Sequence, residues 1–266
     1  MLKRELTFYC QRNFTLLHIR QLKKLEAMFR SRIWFINITL GMQSEVDKVF
    51  TLLQVSGRLG DLCQLAIEGN DAELAHMVLM SWVVEHSECL TKKREHVDIA
   101  RQRLKAYFPE LVFSPGSILQ RVKPMTKSTC LQHISAYTEA YLSASPEILT
   151  QALEERESVS ATILRAGIAV PHTVNDCVRR PCLTVLCCHE PVNWGSSLGA
   201  VTRIILLAAP PRQRQQLRPF SLLVQSLLND VIYEALMRTA HNPSLYAILV
   251  ECVVRRADSA RDTVRE

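Results

Sequence analysis

An arginine and a histidine sixteen residues apart, Arg156 and His172, bracket the stretch of this sequence best equipped for chemistry. At neutral pH an imidazole is largely unprotonated, so one ring nitrogen offers a lone pair to an electrophile. A guanidinium is a planar fork of donors suited to gripping a phosphoryl group at two oxygens. Ser160 and Thr162 lie between them and add hydroxyl donors. That set suits phosphoryl transfer, which asks of a protein a nucleophile in line and positive charge or donors for the equatorial oxygens. The two ends meet only if a helix end folds back beside a strand. The residues between predict this: a helical pattern closes on Arg156-Glu157, Gly167 follows, and a short apolar strand runs Ile168-Ala169-Val170 to Pro171. Proline cannot donate to a sheet ladder, so the strand is expected to stop there, with His172 at its tip.

Arg156-Glu157, Ser160-Ala161-Thr162 and Gly167-Ile-Ala-Val-Pro-His172 together resemble the signature of enzyme IIA of the fructose–mannitol type. That family belongs to the bacterial phosphoenolpyruvate-dependent sugar phosphotransferase system. The resemblance covers about residues 118–252. It implies that His172 accepts a phosphoryl group from the phosphocarrier protein HPr and passes it to a IIB domain. It also implies that Arg156 stabilises that group with help from Ser160 and Thr162, without metal or organic cofactor. Two positions depart from the pattern. Thr173 stands where a glycine usually follows the histidine, and Gln215-Gln216 stand where a second histidine often sits. Glutamine donates a hydrogen bond but cannot hold a proton. Two alternatives stay open: a phosphotransferase-regulated transcriptional regulator or antiterminator that uses the domain as a phosphorylation sensor, and a non-catalytic interaction domain.

The elements around these residues divide at a proline boundary. All eleven prolines lie at Pro109 or beyond, which favours long helices before it. Residues 1–110 are therefore read as a mostly helical region of unknown role, with helices over 16–29, 44–55, 60–66, 71–84 and 92–107 and one strand over 33–40. Residues 111–117 read as a linker. Residues 118–254 read as the enzyme IIA-like domain and 255–266 as a frayed tail. In that domain, helices are expected over 130–142, 146–155, 213–229, 231–239 and 244–254. Ser145 should cap the second of them, with Pro146 at its first position. Buried strands are expected over 183–187 and 201–209. The fold class is α/β, a mixed sheet with helices packed on it.

Composition narrows the remaining classes. Hydrophobic residues make up 48% and charged residues 22% of 266, an ordinary globular balance. A net charge of +6 without a concentrated basic stripe gives no nucleic-acid footprint. The longest apolar runs are too short to span a bilayer, so no membrane insertion is expected. Nine cysteines without a CxxC pair are read as reduced thiols of a cytoplasmic protein. Cys187-Cys188-His189 does not have structural zinc spacing and reads as the end of a buried strand. Trp194 reads as a core or rim aromatic, His86 and His96 as surface groups, and Asp176 as a loop carboxylate four residues from His172.

Overall fold

The computed structural model describes residues 1–90, 97–211 and 214–262. In chain order the elements are β1 (Leu2–Cys10), α1 (Leu16–Glu26), β2 (Arg32–Asn37), β3 (Met42–Glu45), α2 (Val49–Val55), β4 (Leu62–Gly69), α3 (Ala72–His86), β5 (Ser87–Cys89) and α4 (Asp98–Tyr107). They continue with β6 (Ile118–Arg121), α5 (Lys127–Thr138), α6 (Pro146–Val159), β7 (Ile163–Arg165), β8 (Gly167–Ala169), β9 (His172–Val174), β10 (Cys182–Val192) and β11 (Val201–Ala209). The last three are α7 (Arg218–Leu227), α8 (Asp230–Arg238) and α9 (Asn242–Asp262). The chain forms two compact units. One is Met1–Ala100 with Asn229–Arg255, the other Arg101–Leu228 with Arg256–Glu266. Residues 229–254, expected within the span 118–254, thus cluster with the first unit. Part of the helix expected over 92–107, with His96, lies outside the described residues, as do residues 212–213 and 263–266. No helix among the described residues is long and apolar enough to cross a membrane.

The first unit has the expected helices α1 and α3, and they lie with an antiparallel five-stranded sheet in the order β3-β2-β4-β1-β5. The reading of residues 1–110 as mostly helical did not include that sheet. Residues 60–66, expected as helix, lie mostly in β4, the central strand. Every residue of β4 but Glu68 is buried, so the alternation that marks a half-exposed strand is missing. Residues 44–55 split into the end of β3 and the short helix α2. Phe14 meets Phe35 and Trp82 edge-on at the centre of the core. His86 is buried rather than on the surface: its ring stacks on Trp82 and its Nδ1 lies 2.8 Å from the Trp82 carbonyl oxygen.

A polar chain crosses this apolar unit. Gln64 of β4 donates to Thr7 of β1 at 3.0 Å and to Thr239 at 2.8 Å, which joins the sheet to the end of α8. Thr7 in turn donates to Glu5 at 2.6 Å. Burial pushes the Glu5 carboxyl pKa above its usual 4.5, against hydrogen bonds from Thr7 and Gln64 that pull it down. A carboxyl whose folded pKa is raised adds stability that is fully present below the unfolded pKa. That contribution is lost as pH rises through the folded pKa. Urea midpoints of the native chain are therefore expected to fall, relative to Glu5→Gln, as pH is raised upward from about 4.5. Parallel pH profiles for the two chains would show that Glu5 carries no such linkage.

The second unit is built on a mixed six-stranded sheet. Strands β6-β10-β11-β8-β7 follow one path, and β9 also pairs with β11. The β10–β11 pair is antiparallel, whereas β6 on β10 and β8 and β9 on β11 are parallel. The core gathers Leu186, Ile204 and Leu206 from the sheet with Leu131 and Ile134 of α5 and Leu149 and Leu153 of α6. Residues 111–117, expected as a linker, are instead bound to this unit. The Val112 N–H donates to the Pro181 carbonyl at 2.8 Å, and its carbonyl accepts from Leu183 at 3.0 Å. Pro146 occupies the first turn of α6 as expected, but the Ser145 hydroxyl makes no cap bond to the helix.

Candidate functional site

The chemistry-bearing residues lie on one side of the second sheet, where α6 ends and β7, β8 and β9 begin. Arg156 is in the last turn of α6, where a cation is favoured by the helix dipole. Its Nη1 donates to the Ser160 carbonyl at 3.3 Å and approaches the Ser160 hydroxyl at 3.4 Å. The guanidinium thus satisfies a carbonyl beyond the helix end and is anchored through one nitrogen. After the β7 strand, Gly167 takes a φ of +80°, in the left-handed region that a side chain disfavours. This accounts for the glycine that opens the motif.

Pro171 interrupts the pairing along β11 without ending it. Ala169 of β8 pairs with Ile204 of β11, and His172 of β9 pairs with Leu207, so the register is the same on both sides. Proline has no N–H for the ladder, yet its carbonyl still accepts from Leu207 at 3.0 Å. His172 accordingly opens a second short strand and is exposed, in place of the free tip expected. Its Nδ1 lies 3.0 Å from the Val170 carbonyl oxygen. A carbonyl only accepts, so Nδ1 carries the ring proton and Nε2 keeps the lone pair. The partner that orients the ring is thus this backbone carbonyl.

Arg156, Thr162 and His172 line one cavity of about 560 Å³. Most of the rest of its lining is apolar: Ile163, Leu164, Val170 and Leu207, faced by Leu217, Phe220 and Val224 of α7 and the turn before it. Ser221 and Gln225 are the polar groups that α7 adds, one helical turn apart on the same face. Ser160 is not in this lining and reaches it only through Arg156. Thr162 lines the cavity, but its hydroxyl proton is donated to Glu157. Gln216, one of the two glutamines at the position of the second histidine, has a buried amide oxygen without a partner among the described residues.

Glu157, in the sequence only a member of the motif, takes its role from partners remote in the chain. Its side chain is 2% exposed and pairs with Lys127 Nζ at 2.8 Å. It also accepts from Trp194 Nε1 at 3.1 Å and from the Thr162 N–H at 3.3 Å. Trp194 is fully buried, and Lys127 sits 5.5 Å above its ring. Elsewhere in this unit, Cys187 and Cys188 are buried strand residues and His189 is exposed beside Glu190.

Residues 111–252 match the family described as phosphoenolpyruvate-dependent sugar phosphotransferase system, EIIA 2. A multiphosphoryl transfer protein of Shigella flexneri is 26% identical over 105 residues, which are 39% of this chain and 13% of that protein. The match therefore spans about an eighth of that relative's length. Among solved structures, the nitrogen regulatory protein IIA-Ntr of Neisseria meningitidis superposes with a TM-score of 0.48 at 23% identity, over 53% of this chain and 97% of that one. The complex of enzyme IIA and phosphorylated enzyme IIB for mannitol from Escherichia coli gives 0.45 at 22% identity, over 52% and 97%.

Proposed function

This chain belongs to the EIIA 2 family of the phosphoenolpyruvate-dependent sugar phosphotransferase system, and from that premise we propose that its second unit is a phosphoryl carrier with His172 as acceptor. The observation that carries the reading is the convergence of His172 and Arg156 on one largely apolar cavity. In this reading the Nε2 lone pair attacks phosphorus in line. The bond from phosphorus to the donor breaks, and its electron pair returns to the donor. The Nδ1 proton stays on the ring, where its bond to the Val170 carbonyl stabilises the charge that develops on phosphorylation. Arg156 holds the equatorial oxygens with the part of its fork that Ser160 does not use. The apolar walls keep water from the phosphohistidine. Reversal of the same step hands the group on.

The family's chemistry assigns HPr as donor and a IIB domain as acceptor, with no metal and no organic cofactor in the step. Incubated with phosphoenolpyruvate, enzyme I and HPr, the full chain is expected to gain a label that is acid-labile and base-stable. A chain that takes no label would leave the non-catalytic interaction reading. A label that no IIB domain can remove would favour the sensor of a transcriptional regulator instead.

A further inference from the structure

We propose that Glu157 is a positioning residue for the phosphoryl-accepting site, setting the ring of His172 and the end of α6 from behind the cavity. The inference rests on the carrier reading for its rate effect only. A continuous hydrogen-bonded path carries it. Glu157 accepts from the Thr162 N–H at 3.3 Å and from the Thr162 hydroxyl. The Thr162 carbonyl accepts from the Val170 N–H at 2.8 Å. The Val170 carbonyl faces His172 Nδ1 at 3.0 Å and so decides which ring nitrogen is left to react. Glu157 is also the residue after Arg156, so fixing it fixes the helix turn from which the guanidinium reaches the cavity.

The clamp is overdetermined on its other side. Lys127 at the start of α5 and the Trp194 indole both reach the same carboxylate oxygen, Oε2. One carboxylate thus accepts from four donors on three separate segments of the unit. Only an acceptor with two oxygens and no hydrogen can do so. A glutamine of the same shape turns an N–H₂ group toward donors it cannot pair with and leaves Lys127 without its counter-charge. None of these partners touches the phosphoryl group, so Glu157 acts through His172 and Arg156.

The test uses the full chain with Glu157→Gln. The maximal rate of phosphohistidine formation from HPr should fall about ten- to a hundred-fold, while the HPr concentration giving half-maximal rate stays as in the native chain. Nitrogen NMR of the unphosphorylated imidazoles should show His172 losing its Nδ1–H tautomer. A variant that merely melts earlier, with the native maximal rate and the native tautomer, overturns the proposal. If Glu157→Gln fails to fold, the pair Glu157→Gln with Lys127→Met removes the buried carboxylate together with its half-buried counter-charge, and the same two readouts decide. The tautomer is read without any phosphoryl donor. It therefore decides on Glu157 even if the native chain takes no label, the result that would sink the carrier reading alone.

Discussion

His172→Ala is expected to take up no phosphoryl group from phosphoenolpyruvate, enzyme I and HPr, while the native chain is labelled. The loss should be complete, because no other side chain lining the cavity is a comparable nucleophile. Ser221 and Gln225 line the same cavity, but a neutral hydroxyl without an adjacent base and an amide are poor nucleophiles. The fold should be undisturbed. His172 is exposed, and its loss removes one hydrogen bond to a backbone carbonyl, so stability should change by about 0.5–1 kcal/mol. Circular dichroism and the thermal midpoint check that the chain is intact. Acid-labile label persisting in this variant would move the acceptor to another histidine.

Arg156→Lys keeps the charge and loses the fork. Arg156 already commits Nη1 to the Ser160 carbonyl and still has donors to spare for a phosphoryl group. A lysine ammonium is one point of charge and cannot serve both ends with fixed geometry. The maximal rate of transfer should fall about a hundred-fold, the cost typical of removing one preorganised donor from a developing anion. The concentration of HPr at half-maximal rate should barely move, since the lost interaction belongs to the transition state. Rapid-quench measurements over a range of HPr concentrations separate the two. Native rates in this variant would take Arg156 out of the chemistry.

Much of the candidate site could be proposed from the sequence because its parts are local. Arg156, Gly167, Pro171 and His172 lie within a short run whose turn and strand preferences are strong. The resemblance that located them rests on consecutive residues. Legibility failed where a residue's meaning depends on remote partners. Glu157 looks like half of a charged pair at a helix end. Its carboxylate becomes a buried acceptor only when Lys127, thirty residues before it, and Trp194, thirty-seven after it, arrive. The tip expected at His172 failed for a related reason. Proline predicts the lost donor, but the Pro171 carbonyl keeps the strand in register with Leu207. In the first unit, β4 was misread because burial on both faces removes its alternation. His86 was misread because Trp82 covers it from one turn away on the same helix.

The Gln64–Thr239 bond gives the first unit a particular history during synthesis. Its sheet is complete once Cys89 has been made, but α8 and most of α9, which belong to the same unit, lie beyond residue 228. Arg238 reaches back to Glu68, and Arg255 to the Leu40 carbonyl at 2.6 Å. At ribosomal speeds of roughly 5–20 residues per second, that sheet waits on the order of ten seconds for its last helices. During that interval the Gln64 amide is without its Thr239 partner. The chain completes its first unit only after residues 101–228 of the second have been made.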